Sequence, residues 1–147
     1  MNAAGLVIDS TVVMSWCFTT DLTDVAKDVL REVATRGAVT SPLWSYEVAS
    51  SLTSACRKRR ITTTQASTFM AKLEALPIEI ERDKTGFDMT LAMALTHGLS
   101  AYDASYLMIA RHRQLPLATF NWALAEAARS EGVEVMPSSL DFESPFA

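Results

Sequence analysis

The sequence has few of the residues that bind soft metals or form cross-links. Its 147 residues include only two cysteines, Cys17 and Cys56, and two histidines, His97 and His112. Neither cysteine belongs to a C-x-x-C pair, and the histidines have no ligand spacing with each other or with a cysteine. This pattern argues against a zinc site and against a disulfide framework. We interpret the cysteines as reduced thiols and the histidines as ordinary core or surface residues.

Several other features are missing. The sequence has no run of about eighteen uncharged apolar residues, which argues against a membrane span. Its N-terminus has neither a basic region nor a small-residue cleavage site, so we expect no secretory signal and a cytoplasmic location. An excess of positive charge is also absent, since the formal net charge is −4. This charge argues against binding of nucleic acid by bulk electrostatic attraction, so any such contact must be local.

The sequence does contain enough apolar residues for one globular domain. Hydrophobic residues make up 49% of the chain and charged residues 20%. A chain of this size buries about two-thirds of the surface that its unfolded form exposes. No linker, internal repeat or low-complexity tract divides it, so we predict a single domain over residues 1–147.

Short apolar segments alternate with helical patterns along the chain. We predict strands at 5–9, 38–42, 77–81, 115–120 and 133–137, and helices at 23–37, 43–59, 62–76, 85–98, from about 102, and 121–132. Strands that alternate with helices imply crossover connections and parallel pairing. The predicted fold class is α/β, a three-layer α/β/α sandwich with a mostly parallel central sheet.

Three carboxylates lie at positions that such a fold can bring to one edge of the sheet. Asp9 ends the first strand, Glu47 begins the helix after the second strand, and Asp103 begins a helix that follows no strand of its own. Ligand sites in doubly wound sheets form outside the carboxyl ends of the strands. Each acid also has a structural interpretation. Asp9 could cap a helix, Glu47 could be solvated, and Asp103 could complete the capping box that begins at Ser100.

A cluster of these acids would require a cation or a shared proton. Two carboxylates about 5 Å apart repel by roughly 3 kcal/mol at an effective dielectric constant of 20. Oxygen ligands without cysteine or histidine favour Mg²⁺ or Mn²⁺ over zinc. Attack of a metal-activated water on a phosphodiester is the chemistry that such a site supports.

Four segments resemble the signature blocks of PIN-domain proteins, and their order and the chain length resemble VapC-type toxins of toxin–antitoxin pairs. The segments are "LVIDSTVVMSW", "SPLWSYEVASSL", "LSAYDASYLMIA" and "LPLATFNWALAEAARSEGVEV", which together span about Leu6 to Met136. The resemblance implies a ribonuclease in which Asp9, Glu47 and Asp103 hold Mg²⁺ or Mn²⁺, with Thr11 in a supporting position. It also implies cellular RNA that is single-stranded at the cut, a homodimer, and a VapB-type antitoxin whose C-terminal segment lies across the active-site groove.

The sequence departs from the family pattern at two positions. Asn121 stands where the family usually has an aspartate, and Ser50 stands where the Glu47 helix commonly carries asparagine. An amide can hydrogen-bond and can ligate through its carbonyl oxygen, but it adds no negative charge. Asn121 also suits the N-cap of the helix that follows it. We predict a supporting role for Asn121, and we expect activity to persist because three acids remain.

The basic run "RKRR" (57–60) is the candidate for substrate contact, although cations at the end of a helix are also favoured by the helix dipole. Three other functions remain open at this point. The first is a module that binds RNA or an antitoxin without cleavage, which Asn121 would indicate. A scaffold with all three acids as helix caps is the second. The third, a phosphoacceptor receiver domain, is disfavoured because "VIDST" has one acid and "LATFN" lacks a lysine.

Overall fold

The computed structural model describes residues 4–18, 22–82 and 87–136. Within these ranges the chain forms five short strands and seven helices. The strands are β1 (Leu6–Ile8), β2 (Ala38–Thr40), β3 (Ile78–Ile80), β4 (Leu117–Ala118) and β5 (Val135–Met136). The helices are α1 (Ser10–Cys17), α2 (Asp24–Arg36), α3 (Trp44–Arg57), α4 (Thr63–Glu74), α5 (Phe87–His97), α6 (Ala101–Arg113) and α7 (Trp122–Ser130).

The five strands form one parallel sheet in the order β3-β2-β1-β4-β5. The chain moves outward from β1 through β2 to β3 and then crosses to the other side of β1 for β4 and β5. The strand order therefore reverses between β1 and β4. The carboxyl ends of these two strands border the crevice in which sheets of this kind bind ligands.

The central strands consist of apolar residues that are buried on both faces. All the residues of β1, β2 and β4 are buried, and parallel strands of this type need helices on both sides of the sheet. Helix α6 supplies much of this cover, because it contacts β1 and β4 and buries a continuous segment from Tyr106 to Ala110. The predicted α/β/α sandwich is thus confirmed, and the described part of its sheet is entirely parallel.

The sequence pattern did not predict helix α1. The predicted strand at 5–9 ends at Ile8, and Asp9 adopts an extended conformation and caps the new helix by accepting a hydrogen bond from Val12 N. Val12 and Val13 are buried and β-branched, so they prolong the apolar strand pattern although they are helical. The side chain of Asp9 therefore decides where the strand ends, and residue hydrophobicity does not.

Some predicted features lie outside the described residues. They are the first residues of the predicted helix at 85–98, the last residue of the predicted strand at 133–137, and both ends of the predicted domain. Cys17 and Cys56 are both free and half-buried. None of the helices in the described ranges has the length and apolar character needed to cross a membrane.

Candidate active site

The candidate site lies where β1 and β4 end side by side. Asp9 follows β1 directly, and Thr119 follows β4 directly. The two strands pair in register through Ile8 and Ala118, so the next residue of each strand lies at the same edge of the sheet. Both Asp9 and Thr119 are buried. The reversal of strand order thus brings together two polar side chains that are 110 residues apart.

Both carboxylate oxygens of Asp9 are held by hydrogen bonds. Oδ1 accepts from the hydroxyl of Thr11 at 2.6 Å and from the backbone N–H of Val12 at 3.1 Å. Oδ2 accepts from the hydroxyl of Thr119 at 2.5 Å. The carboxylate is therefore fixed in one orientation. Thr11, for which the family resemblance implies a supporting role, is one of the donors.

Burial raises the pKa of Asp9 from its ordinary value of 3.8 to about 6. The hydrogen bonds from Thr11, Thr119 and Val12 oppose this change because they favour the charged form, whereas the negative charge of Asp103 adds to it. Asp9 therefore has an environment that favours a proton or a cation beside it. Perturbed carboxylates of this type are common at functional sites.

Asp103 lies in the first turn of α6, and its carboxylate faces the site. The backbone N–H of Asp103 donates to Oγ of the N-cap residue Ser100 at 3.1 Å, which is one half of the capping box. Its Oδ2 accepts a hydrogen bond from Nδ2 of Asn121 at 3.1 Å. In the described structure, the carboxylate of Asp103 therefore accepts its hydrogen bond from Asn121 and not from the backbone N–H of the N-cap residue.

Asn121 combines the two roles that its sequence position allowed. Its Oδ1 accepts from Leu124 N at 3.2 Å and caps α7, while its Nδ2 donates to Asp103. The backbone N–H of Asn121 also donates to Thr119 Oγ1 at 2.9 Å, and Thr119 in turn donates to Asp9. A chain of hydrogen bonds therefore joins Asp9 to Asp103 through Thr119 and Asn121.

Glu47 is half-buried in the first turn of α3 and accepts a hydrogen bond from the hydroxyl of Tyr106. Tyr106 is completely buried in α6. Burial raises the pKa of Tyr106, and the hydrogen bond and charge of Glu47 raise it further, so the phenol keeps its proton. Tyr106 also interacts with Ser10 and experiences the charge of Asp9. It therefore lies between Glu47 and the end of β1.

Thr119 and Tyr106 are the site residues that the sequence analysis missed. A signal for Thr119 was present, because it lies near the carboxyl end of the predicted strand at 115–120 and two residues before Asn121 in "LATFN". Tyr106 had no such signal. It lies in an apolar helical segment, where an aromatic residue is normally a core residue, and only the tertiary contact reveals its polar partner.

The two aspartates form a pair, but the three acids do not form a compact group of ligands. The negative charge of Asp103 acts on Asp9, whereas Glu47 accepts a hydrogen bond from Tyr106. Among the residues that the structure describes, no group of three or more His, Cys, Asp or Glu side chains is arranged to hold a metal ion. Mg²⁺ commonly binds one or two carboxylates and completes its shell with water and phosphate oxygens. The oxygen donors of Asp9 and Asp103 fit that requirement.

The comparisons with known proteins agree with this architecture. The PIN domain family model matches residues 6–130. PAE2754 from Pyrobaculum aerophilum has 19% identity and a TM-score of 0.71, with 92% of this chain and 91% of that chain covered. FitAcB from Neisseria gonorrhoeae has 16% identity and a TM-score of 0.63, with coverage of 88% and 95%.

A toxin–antitoxin complex from Klebsiella pneumoniae has 18% identity and a TM-score of 0.56, with coverage of 80% and 87%. No curated protein matches the sequence significantly. At these identities the solved structures establish the fold. The family match, in contrast, extends over most of the chain and includes β1, all three acids and Asn121. The chain is therefore a member of the PIN-domain family.

Proposed function

We propose that this chain is a Mg²⁺- or Mn²⁺-dependent endoribonuclease that acts as a VapC-type toxin. PIN-domain proteins are generally nucleases that depend on divalent metals. The observation that supports the proposal most strongly is the aspartate pair at the reversal of strand order. Asp9 is buried with a raised pKa, and the charge of Asp103 acts on it. A positive ion at this edge would relieve the repulsion between the two acids.

The residues of the chain orient this pair for phosphodiester hydrolysis. Thr11 and Thr119 direct the two oxygens of Asp9, and Asn121 directs Asp103. A bound Mg²⁺ or Mn²⁺ would supply Lewis-acid activation of the phosphate and of an attacking water. Glu47 remains the third predicted ligand. Its hydrogen bond comes from Tyr106, which also experiences the charge of Asp9, and from this position Glu47 would bind the ion directly or through a water.

A cognate VapB-type antitoxin is the proposed protein partner. One structural neighbour is described as a toxin–antitoxin complex. This chain has a groove of about 880 Å³ that is lined by apolar residues of α1 and α4, among them Trp16, Phe69 and Leu73, and that has Arg60 and Lys72 at its polar positions. An amphipathic segment of a partner would bury its apolar side chains there. The groove shares Arg60 and Phe18 with a second groove beside the carboxylates, so the partner would block access to the site.

We also propose that the protein is a homodimer that pairs through α5. Leu91 and Leu95 are spaced by four residues and therefore share one face of this helix. They are 60% and 75% exposed, and Met89 on the same helix is 47% exposed. A second copy of the chain would cover this apolar face.

Cleavage of a mixed RNA pool by purified, partner-free protein tests the proposed activity. We expect cleavage with Mg²⁺ or Mn²⁺, none with a chelator, and none by the Asp103→Asn variant, whose folding is checked by circular dichroism. Loss of cleavage together with unfolding of the variant would indicate that Asp103 is only a helix cap. Metal-independent cleavage would contradict the proposal.

A second candidate is a PIN-domain module that binds RNA or an antitoxin without cutting. Asn121 favours it, because this position carries no charge, and so does the absence of a three-acid group in the described residues. Folded protein that cleaves with neither ion would support this candidate. Asn121→Asp would then keep the cap of α7, since aspartate caps as well as asparagine. Calorimetric titration with Mn²⁺ would show whether the added charge creates metal binding.

A further inference from the structure

A polar groove opens directly beside the aspartate pair. It has a volume of about 590 Å³ and lies between α1 and α3. Thr11 and Phe120 line its near end. Thr11 donates to Asp9 and accepts from the backbone N–H of Phe120 at 3.0 Å. The groove is therefore continuous with the candidate site.

One face of α3 connects the site to the far end of the groove. Glu47, Ser51, Ser54 and Lys58 follow one another at intervals of four, three and four residues, so they lie on the same side of the helix. At a rise of 1.5 Å per residue, Glu47 and Lys58 are about 16 Å apart along the axis. Ser51, Ser54 and Lys58 all line the groove. Hydroxyl groups thus lie between the acids and the first cation.

The end of α3 turns Arg60 back toward α1. Arg59 has a φ of 59°, in the left-handed region, and Arg60 N donates to Ala55 O at 2.9 Å. The guanidinium of Arg60 lies 4.1 Å from the centroid of the Phe18 ring on the opposite wall. Lys58 and Arg60 therefore both line this groove, whereas Arg57 lines a different groove between α3 and α4.

The two cations are the charged residues of the groove lining. In the part of the chain that the structure describes, no carboxylate forms an ion pair with either of them. The whole chain nevertheless has a net charge of −4. Positive charge is therefore concentrated locally at the far end of a groove whose near end is lined by Thr11, which contacts Asp9.

We propose that this groove holds the sugar–phosphate backbone of a single RNA strand. Lys58 and Arg60 bind phosphates that lie a few nucleotides from the phosphate at Asp9 and Asp103, and the serine hydroxyls donate to phosphate oxygens between them. This inference rests on the proposed ribonuclease function. An RNA strand fits better than an acidic peptide, because the line of hydroxyls and cations begins at the residues that act on a phosphodiester.

Fluorescence anisotropy with a short labelled single-stranded RNA tests the inference without requiring cleavage. Binding is measured in chelator, with the RNA checked for integrity, from about 50 to 200 mM KCl. The test variant is Lys58→Gln/Arg60→Gln. The matched control is Arg57→Gln/Arg59→Gln, which removes the same charge from the same end of α3.

We expect the test variant to bind about tenfold more weakly at the lower salt concentration. The slope of log affinity against log salt falls by about 1.4, because each phosphate contact in a single strand contributes about 0.7. The control variant changes affinity less than twofold. Arg60→Lys retains most of the binding, since it keeps the charge. Thermal unfolding of each variant confirms that the proteins are folded.

Equal weakening by the two double variants would overturn the inference, because it would show only a bulk charge effect. Failure of the folded wild-type protein to bind RNA would also overturn it, as would tighter binding of a polyglutamate peptide than of RNA. Two results separate this inference from the proposed function. If only the Lys58→Gln/Arg60→Gln variant loses binding, and the wild type shows no metal-dependent cleavage, the result supports RNA binding in the groove and contradicts the proposed ribonuclease activity. Cleavage that is independent of Lys58 and Arg60 does the reverse.

Discussion

The carboxylate of Asp9 is only 1% exposed, and this burial makes its ionisation costly. Its pKa is about 6 in the folded protein and near 3.8 otherwise, so the folded state binds more protons than the unfolded state between these pH values. Stability therefore falls as the pH rises from about 4 to about 6 and keeps the lower value above that range. At neutral pH the buried, ionised carboxylate of Asp9 lowers the stability of the folded protein. Destabilising groups of this kind are common at functional sites.

Replacing Asp9 with asparagine is expected to stabilise the metal-free protein at pH 7.5. The neutral amide removes the buried charge but can still cap α1, so the free energy of unfolding increases by about 1 to 3 kcal/mol. At pH 4, where the native carboxyl is protonated, the difference disappears. Urea denaturation in chelator at both pH values measures this effect. The cleavage assay of this variant should show no activity. A variant that is destabilised at pH 7.5 would contradict the prediction, because it would show that the hydrogen bonds of the carboxylate outweigh the cost of its burial.

At the level of secondary structure elements, α6 has separate residues for its folding and for the candidate chemistry. The side chain of Ser100 caps the helix by accepting a hydrogen bond from the backbone N–H of Asp103. The side chain of Asp103 instead contacts Asn121, which lies between β4 and α7. About one and a half turns of buried side chains, from Tyr106 to Ala110, anchor the helix in the core. A change in the side chain of Asp103 should therefore leave the helix intact.

We expect Ser100→Ala to lower stability but not activity, and Asp103→Asn to abolish activity with little change in stability. Loss of the cap oxygen in Ser100→Ala costs about 1 kcal/mol but preserves cleavage. Asp103→Asn changes the free energy of unfolding by less than about 0.5 kcal/mol, because lost attraction to the helix dipole opposes relieved repulsion with Asp9. Denaturant titration and the RNA cleavage assay of both variants provide the measurement. A larger loss of stability in Asp103→Asn than in Ser100→Ala would support the capping-box interpretation.

On the scale of the whole molecule, the proposed dimer contact uses a different surface from the proposed RNA and antitoxin contacts, whose grooves adjoin each other. The site and its groove are formed by the ends of β1 and β4 together with α1 and α3, the apolar groove lies between α1 and α4, and the apolar face lies on α5. The protein could therefore dimerise through α5 without covering the RNA groove. An antitoxin in the apolar groove, in contrast, would contact Phe18 and Arg60, which both grooves share.

Charged substitutions on α5 are expected to convert the proposed dimer to a monomer. Leu91→Glu/Leu95→Glu places two like charges on the face that a second copy would bury, and such unpaired charges oppose association. Multi-angle light scattering gives the mass of the wild type and of the variant. Ala34→Glu/Thr35→Glu on the exposed face of α2 is the control and should remain dimeric. A monomeric wild type, or a variant that stays dimeric, would exclude α5 as the interface.

Much of the fold could be predicted from local sequence patterns. Alternation of apolar segments with helical patterns identified all five strands and six of the seven described helices, because periodicity and caps are local properties of the chain. Helix α1 was missed because Val12 and Val13 prolong the apolar run of β1. The predicted strands were also longer than the observed ones, because hydrophobicity does not reveal which residues pair in the sheet.

The candidate site was predictable only in part. Asp9, Asp103, Thr11 and Asn121 could be selected from their places at strand and helix ends, and the structure joins them by hydrogen bonds. That Glu47 contacts Tyr106 could not be predicted, since the two residues are 59 positions apart. The division of "RKRR" between two grooves also depends on the turn at Arg59, which sequence patterns do not specify.

The sequence by itself determined the α/β class, the family resemblance and the acids available for metal chemistry, because these depend on residue type and spacing. Only the tertiary structure decided which acids meet, which hydroxyls and amides orient them, and which cations line the groove beside the site. These features depend on the reversal of strand order between β1 and β4, which brings Asp9 beside Thr119. Hydrogen bonds then connect Thr119 to Asn121 and Asn121 to Asp103. The pKa of Asp9 depends on the same contacts, because burial and neighbouring charge exist only in the folded chain.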